Sequence, residues 1–215
     1  MVDLIPSPES VMEILKKTGA YRRGHFIYPN GKHASHYFQM PLAFRYYDNA
    51  RILSVGLSRL FRMERSISSR LPKVSVISPS PGGIMVAFGV REALSAEQIY
   101  WAEMEDGKRQ FRQYMSEGEV YPAIIVDDIL RSGRAISETI ELCKEIGTDV
   151  IGIGTIVKFE DAPNEFDGIP VKTLLTFDVN FYETEEEWRG SRNASDAAEE
   201  SVCFCSRKKK YEKIA

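Results

Sequence analysis

Two adjacent acids, Asp127 and Asp128, stand directly after the apolar run Ala123-Ile124-Ile125-Val126 and just before the small polar loop Arg131-Ser132-Gly133-Arg134. A helical pattern follows, with Ile136, Ile140, Cys143 and Ile146 on one face. A loop that feeds a helix N-terminus presents backbone N–H groups with no intrahelical partner, and the helix dipole adds positive potential there. Gly133 lets the chain curl round an oxyanion without a Cβ in the way, Ser132 adds a hydroxyl donor, and Arg131 and Arg134 add charge. The loop reads as a phosphate cradle and the two acids as acceptors for sugar hydroxyls. Phosphate at one end and a diol at the other describe a ribose 5-phosphate. An acid pair alone more often just ends a strand and caps a turn. The apolar run before this pair, and the Ser-Gly and helix after it, favour the sugar-phosphate pocket.

Other elements must hold that pocket. Ser7-Pro8-Glu9 starts a helix with Val11, Ile14, Leu15 and Thr18 on one face, and Gly19 can end it. Phe26-Ile27-Tyr28 and Tyr37-Phe38-Gln39 read as short strands around the turn Pro29-Asn30-Gly31. Asp48 is placed as the cap of a helix carrying Ile52, Leu53, Leu57, Leu60 and Phe61. Val74–Ser78 reads as a strand, Pro79-Ser80-Pro81-Gly82-Gly83 as a tight loop, and Ile84–Leu94 as a helix. Gln98–Ala102 is a short strand running into a charged stretch with the turn signal Asp106-Gly107, and Val150–Val157 and Ile169–Leu175 are buried strands. Strands alternating with helices predict an α/β fold: a central, mostly parallel sheet flanked by helices. Ligands of such sheets sit beyond the carboxyl ends of the strands, where strand order reverses. The loops at 79–83 and 127–135 fit that place. The expected organisation is one domain over residues 1–180, with a small N-terminal hood mainly at 20–45, and a polar C-terminal tail over 181–215, surface or disordered.

At 215 residues, with 43% hydrophobic and 27% charged residues, the chain suits one soluble α/β domain. A net charge of −3 argues against nucleic acid or an anionic membrane as the main partner. No apolar stretch approaches the roughly 20 residues of a spanning helix. The first ten residues lack the layout of a signal peptide. Of the three cysteines, Cys143 reads as core, and Cys203 and Cys205 have neither a CxxC nor a disulfide-framework spacing. A reduced, cytoplasmic protein is expected, and no protein-ligated metal site is expected.

The stretch AIIVDDILRSGRA resembles the phosphoribosyl-diphosphate signature of type I phosphoribosyltransferases. Within that group the chain is most similar to orotate phosphoribosyltransferase. GHFIYPNGKHASHYFQ resembles the hood segment, SPSPGGIMVAFGVREAL the diphosphate loop and its helix, and YWAEMEDGKRQFRQY the strand and flexible catalytic loop. GIGTIVKF stands in the place of the strand whose end contacts the base. The resemblance implies transfer of a 5-phosphoribosyl group from phosphoribosyl diphosphate to orotate, giving orotidine 5′-phosphate and diphosphate in pyrimidine nucleotide synthesis. It implies Mg²⁺, bound mainly through the diphosphate, and a homodimer. Asp127 and Asp128 would hold the ribose hydroxyls, and Ile129 to Ala135 the 5-phosphate. Backbone N–H groups at Ser80, Pro81-flanked Gly82 and Gly83 would take the diphosphate. Lys108, Arg109 and Arg112 would close over the leaving group.

Some positions depart from the family's pattern. Met104 stands where relatives often carry Lys or Arg. Ala135 stands where the signature usually ends in Thr or Ser, and Lys158 lies near the place of a carboxylate-gripping Arg. Ala34-Ser35 has its serine one place later than the hood turn of relatives. Tyr37 and Phe38 are candidates to pack on a flat base, with Arg131 and Lys158 beside it. His25, His33 and His36 read as surface or packing residues rather than acid–base groups. These departures leave two alternatives open: transfer to a different base, or a catalytically weak relative that binds phosphoribosyl diphosphate or a nucleotide as a regulator.

Overall fold

The computed structural model describes residues 5–28, 30–111 and 120–191. Arg112, Pro29, Cys203 and Cys205 lie outside the described residues. The elements in chain order are α1 (Pro8–Lys17), β1 (Tyr21–Ile27), β2 (His33–Phe38), α2 (Pro41–Phe44), α3 (Tyr47–Arg62), α4 (Arg65–Ser68), β3 (Ser75–Ser78), a single 3-10 turn (Pro81–Gly83), α5 (Ile84–Leu94), β4 (Gln98–Glu105), β5 (Lys108–Phe111), β6 (Ala123–Leu130), α6 (Arg134–Glu145), β7 (Val150–Phe159), β8 (Glu165–Phe166), β9 (Ile169–Phe177), β10 (Phe181–Tyr182) and α7 (Glu185–Arg189). The local signals act as expected at most ends. The Ser7 hydroxyl accepts from the Ser10 N–H at 3.3 Å, and Gly19 leaves α1 with φ 72°. Asp48 is not a cap. α3 starts at Tyr47, and Asp48 sits in its first turn, where its charge favours the helix dipole. Ile52 on that helix is exposed rather than core.

Seven strands form the main sheet in the order β5-β4-β3-β6-β7-β9-β8. The β4-β3-β6-β7-β9 core is parallel, and β5 and β8 are antiparallel edges. From β3 the chain steps one way to β4, then returns to lay β6 on the other side of β3. Right-handed crossovers in these two directions put α5 and α6 on opposite faces. The reversal lies between β3 and β6, so the turn after β3 and the loop after β6 diverge from one point. The interior strands are buried throughout, from Ser75–Ser78 and from Ala123–Val126. Glycines let α3 come close to β7: a Cβ on Gly154 would stand 2.6 Å from the Phe61 ring.

The hood is a separate three-stranded antiparallel sheet, β1-β2-β10. Its third strand comes from beyond residue 180: Phe181 pairs with Ala34 and Tyr182 with His33. The chain from 181 to 191 is therefore part of the folded body, not tail. Trp188 of α7 explains why. It is buried, its Nε1–H donates to Ser35 Oγ at 2.9 Å, and its ring stacks on His25 at 3.9 Å. One large aromatic with a satisfied N–H fastens an otherwise acidic segment. The histidines belong to this packing. His25 Nε2 and His33 Nδ1 share a hydrogen bond at 2.7 Å, and His36 lies between the rings of Tyr21 and Phe177. Among the described residues no helix is long and apolar enough to cross a membrane.

Trp188→Ala is expected to lower stability by about 3 kcal/mol through lost burial, measured by urea unfolding. Glu186→Ala, exposed on the same helix, is expected to change it by no more than ~0.5 kcal/mol.

Candidate active site

β6 continues through both acids to Leu130, so Asp127 and Asp128 are the last part of the strand rather than the start of the loop. Asp127 is buried and Asp128 partly exposed. The turn after β3 closes on them. Ser80 Oγ donates to Asp127 Oδ1 at 2.9 Å, and the same oxygen accepts the Asp128 N–H at 3.0 Å. Asp128 Oδ1 accepts from the Ile129 N–H at 2.8 Å. Beneath the turn, Ser78 Oγ donates to the Ser80 carbonyl at 2.6 Å. A Cβ on Gly83 would lie 2.5 Å from Asp127 Oδ1, and one on Gly82 would lie 3.0 Å from Asp128 Oδ2. The two glycines thus admit the carboxylates themselves. The Gly83 N–H is already engaged, donating to the Ser80 carbonyl at 3.2 Å. That part of the expected diphosphate cradle is used by the turn itself.

The loop after β6 is short. Gly133 takes φ 78° at the head of α6, and a Cβ there would stand 2.7 Å from the Phe166 ring. Both the backbone angle and the packing demand glycine. Ser132 and Arg134 are exposed and Ala135 is partly buried, with its carbonyl accepting from Thr139 Oγ1. Arg131 leaves the phosphate loop for the hood, where its guanidinium sits 4.9 Å from the Tyr28 ring and 4.5 Å from the Phe181 ring. Such cation–ring contacts immobilise the side chain. Burial pushes the Tyr28 hydroxyl up to about 12, against the opposing pull of Arg131.

The predicted catalytic loop is a hairpin as far as Phe111. β4 and β5 pair across Asp106-Gly107, both with positive φ, with Met104 opposite Arg109 and Glu105 opposite Lys108. Lys108 and Met104 are exposed at its outer end. Arg109 turns inward: its Nε donates to Glu138 Oε2 at 3.0 Å and its Nη1 to the Pro79 carbonyl. Glu138 on α6 also accepts from Arg134 Nε at 2.5 Å. These arginines, Arg134 first, hold the Glu138 carboxyl below the usual range against its partial burial. Sequence reasoning did not single out Glu138. Its place four residues after Arg134 was the available signal.

Two expected base contacts fare differently. Phe38 is not available to a ligand: it is 7% exposed and packed against Tyr21, Phe159 and Phe177. Alternation along β2 turns Tyr37 the other way, to Phe26 and Tyr28. Lys158 is 4% exposed, and its ammonium donates to the Phe159 carbonyl at 3.2 Å. No carboxylate pairs with it among the described residues. Ser35, the displaced hood serine, is taken by Trp188.

Burial, then repulsion from Asp128, raises the Asp127 carboxyl well above the ordinary range, and burial also raises Asp128. An acid whose folded value exceeds its unfolded one contributes most at low pH and loses that contribution as pH rises through the folded value. The ionised pair is therefore a liability to the fold. Asp127→Asn is expected to match the wild-type melting temperature near pH 4 and to exceed it by a few degrees at pH 8, read by thermal unfolding at both pH values.

Comparison with known proteins shows what the chain is similar to. No family model matches the chain. The orotate phosphoribosyltransferase of Thermotoga petrophila is 33% identical over 178 residues, covering 82% of this chain and 89% of that protein. That of Caldanaerobacter subterraneus subsp. tengcongensis is 32% identical over 178 residues, covering 83% and 89%. Among solved structures, orotate phosphoribosyltransferase from Aeropyrum pernix has a TM-score of 0.64 at 20% identity, over 78% of this chain and 93% of that one. Adenine phosphoribosyltransferase from Thermoanaerobacter pseudethanolicus has a TM-score of 0.53 at 12% identity, over 66% and 88%. At such identities these structures show the shared fold alone. The long sequence matches go further, and with them the chain belongs to the orotate phosphoribosyltransferase family.

Proposed function

We propose that the protein transfers the 5-phosphoribosyl group of phosphoribosyl diphosphate to orotate, releasing diphosphate, as a cytoplasmic enzyme of pyrimidine nucleotide synthesis. The observation that carries the reading is the buried Asp127-Asp128 pair locked to the 79–83 turn by Ser80, at the reversal of strand order. Two carboxylates there suit the 2- and 3-hydroxyls of a ribose, and their negative charge suits the positive ring of an oxocarbenium-like transition state. The exposed Ser132 hydroxyl and the start of α6 suit the 5-phosphate. The 79–83 turn and Arg109 suit the diphosphate, with Lys108 at the outer end of the hairpin as a further cation. Tyr37, Arg131 and Lys158 remain the candidates for the base side, and Lys158 offers a buried ammonium to the base's carboxylate.

Magnesium fits this donor set as a substrate-borne ion. Among the described residues no three His, Cys, Asp or Glu side chains converge on a metal position. A pair of hard carboxylates next to a diphosphate is the kind of site that Mg²⁺ shares with substrate oxygens and water. When bound, the ion neutralises charge growing on the leaving diphosphate. Asp127 and Asp128 are the residues that would face it or the hydroxyls beside it.

Purified protein with Mg²⁺, phosphoribosyl diphosphate and a panel of bases is expected to release diphosphate with orotate alone. Lys158→Met is expected to raise the KM for orotate roughly 10–100-fold, as for a lost charge-assisted hydrogen bond, and to leave phosphoribosyl diphosphate binding unchanged. Turnover with a purine base instead would sink the orotate assignment. One observation favours a second reading, a weakly active binding protein: Met104, where the family resemblance leads one to expect a Lys or Arg, offers no cation and is 49% exposed. Calorimetric binding of phosphoribosyl diphosphate with no turnover on any base would select it.

We also propose a homodimer. α3 and α5 pack together, Gly89 against Ser54, and leave Tyr47, Ile52, Met85 and Phe88 exposed on adjoining surfaces. A side-by-side set of large apolar groups suits a self-complementary interface. Phe88→Glu is expected to shift sedimentation from dimer to monomer, and a wild-type monomer at micromolar concentration would remove the proposal.

A further inference from the structure

We propose that Glu138 is the positioning residue for Arg109: it orients a pre-set cationic donor at the mouth of the 79–83 turn. The inference rests on the reading of that turn as the diphosphate site. Three elements that are distant in sequence meet here. Arg109 comes from the edge strand β5, Glu138 from α6, and the Pro79 carbonyl from the turn after β3. The Arg109 side chain is only 10% exposed, against 73% for Arg134, so its guanidinium is held rather than solvated.

Donor arithmetic shows what the arrangement offers. A guanidinium carries five N–H groups in a fixed plane and no acceptor. Glu138 takes Nε–H and Pro79 takes one hydrogen on Nη1. Three N–H groups remain with no protein acceptor among the described residues, on a guanidinium anchored to the Pro79 carbonyl where the 79–83 turn begins. Two anchors at different points of a planar group set its position and its tilt. The remaining donors are then aimed before any ligand arrives, and a preorganised donor is worth most where charge develops during reaction. Glu138 is itself held from the far side by Arg134 on the same helix, at 2.5 Å. Its two oxygens are divided, Oε1 to Arg134 and Oε2 to Arg109, so the pair on the helix steadies the carboxylate that steadies the hairpin. Among the described residues, edge strand β5 has β4 as its only strand neighbour, and this ion pair registers the Arg109 side chain against the turn.

The test is a double-mutant cycle on the full chain, with steady-state kinetics and inhibition by diphosphate. Glu138→Ala is expected to lower kcat roughly 10–100-fold with a smaller change in KM for phosphoribosyl diphosphate, the cost of a misplaced group. It is also expected to weaken diphosphate inhibition. Glu138→Gln keeps one acceptor and is expected to lose less, which covers the case of an alanine variant that folds poorly. In an Arg109→Ala background, Glu138→Ala is expected to add less than twofold, because its effect passes through Arg109. Additive losses with Arg109→Ala would overturn the positioning role while leaving the site assignment intact. A neutral Arg109→Ala, in both turnover and diphosphate inhibition, would overturn this inference together with the role of Arg109 in the site.

Discussion

The hydrogen bond from Ser80 to Asp127 joins the turn after β3 to the carboxyl-end half of β6, the two elements on which the proposed chemistry depends. It spans 47 residues of chain, and it exists only because β3 and β6 are neighbours in a sheet whose order reverses between them. Once the turn over 81–83 rests on the end of β6, there is no space for a side chain at Gly83 and little at Gly82. The acids are then desolvated, which raises both carboxyls, and repulsion from Asp128 raises Asp127 further. A buried pair of this kind favours a ligand that brings cation or hydroxyl donors, and it is unfavourable to the fold. Stability is traded for a prepared site.

Around that centre the cations differ in how they are held. Arg109 and Arg134 converge on one carboxylate, Glu138. Arg131 is fixed by two aromatic rings of the hood, and Lys158 by a single backbone carbonyl in the interior. An exposed pair such as Arg134–Glu138 contributes little to stability. Its consequence lies in geometry, through the side chains it steadies. The Arg131 contacts tie the loop after β6 to Tyr28 of the hood and to Phe181 of its last strand. The side that would hold phosphate and the side that would face a base thus share one immobilised residue.

The hood itself depends on a return of the chain. β10 and α7 come back after the last strand of the main sheet, and Trp188 bonds to Ser35 across 153 residues. The acidic character of residues 183–187 concealed this. Their charges lie in solvent, and a single buried tryptophan outweighs them because most of its area is apolar and its one donor is satisfied.

Much of the architecture was legible in the chain order of apolar runs, glycines and caps. Period and punctuation are local properties, so the helix at 8–17, the Asp106-Gly107 hairpin turn and the strand–acid–loop–helix unit at 123–145 follow from neighbours in sequence. The acid pair and Gly133 also point to their chemistry without coordinates, because residue type and the need for positive φ are enough. Tertiary structure alone decided where the donors proposed for that chemistry lie. Phe38 and Tyr37 differ by one residue, yet alternation along β2 buries the first in the core and turns the second aside. Arg131 goes to the hood and Arg109 to the 79–83 turn, although both read as loop cations. Glu138 and Trp188 acquire their roles only from partners 29 and 153 residues away. Such contacts depend on sheet order and on the direction of each side chain, neither of which a local pattern encodes.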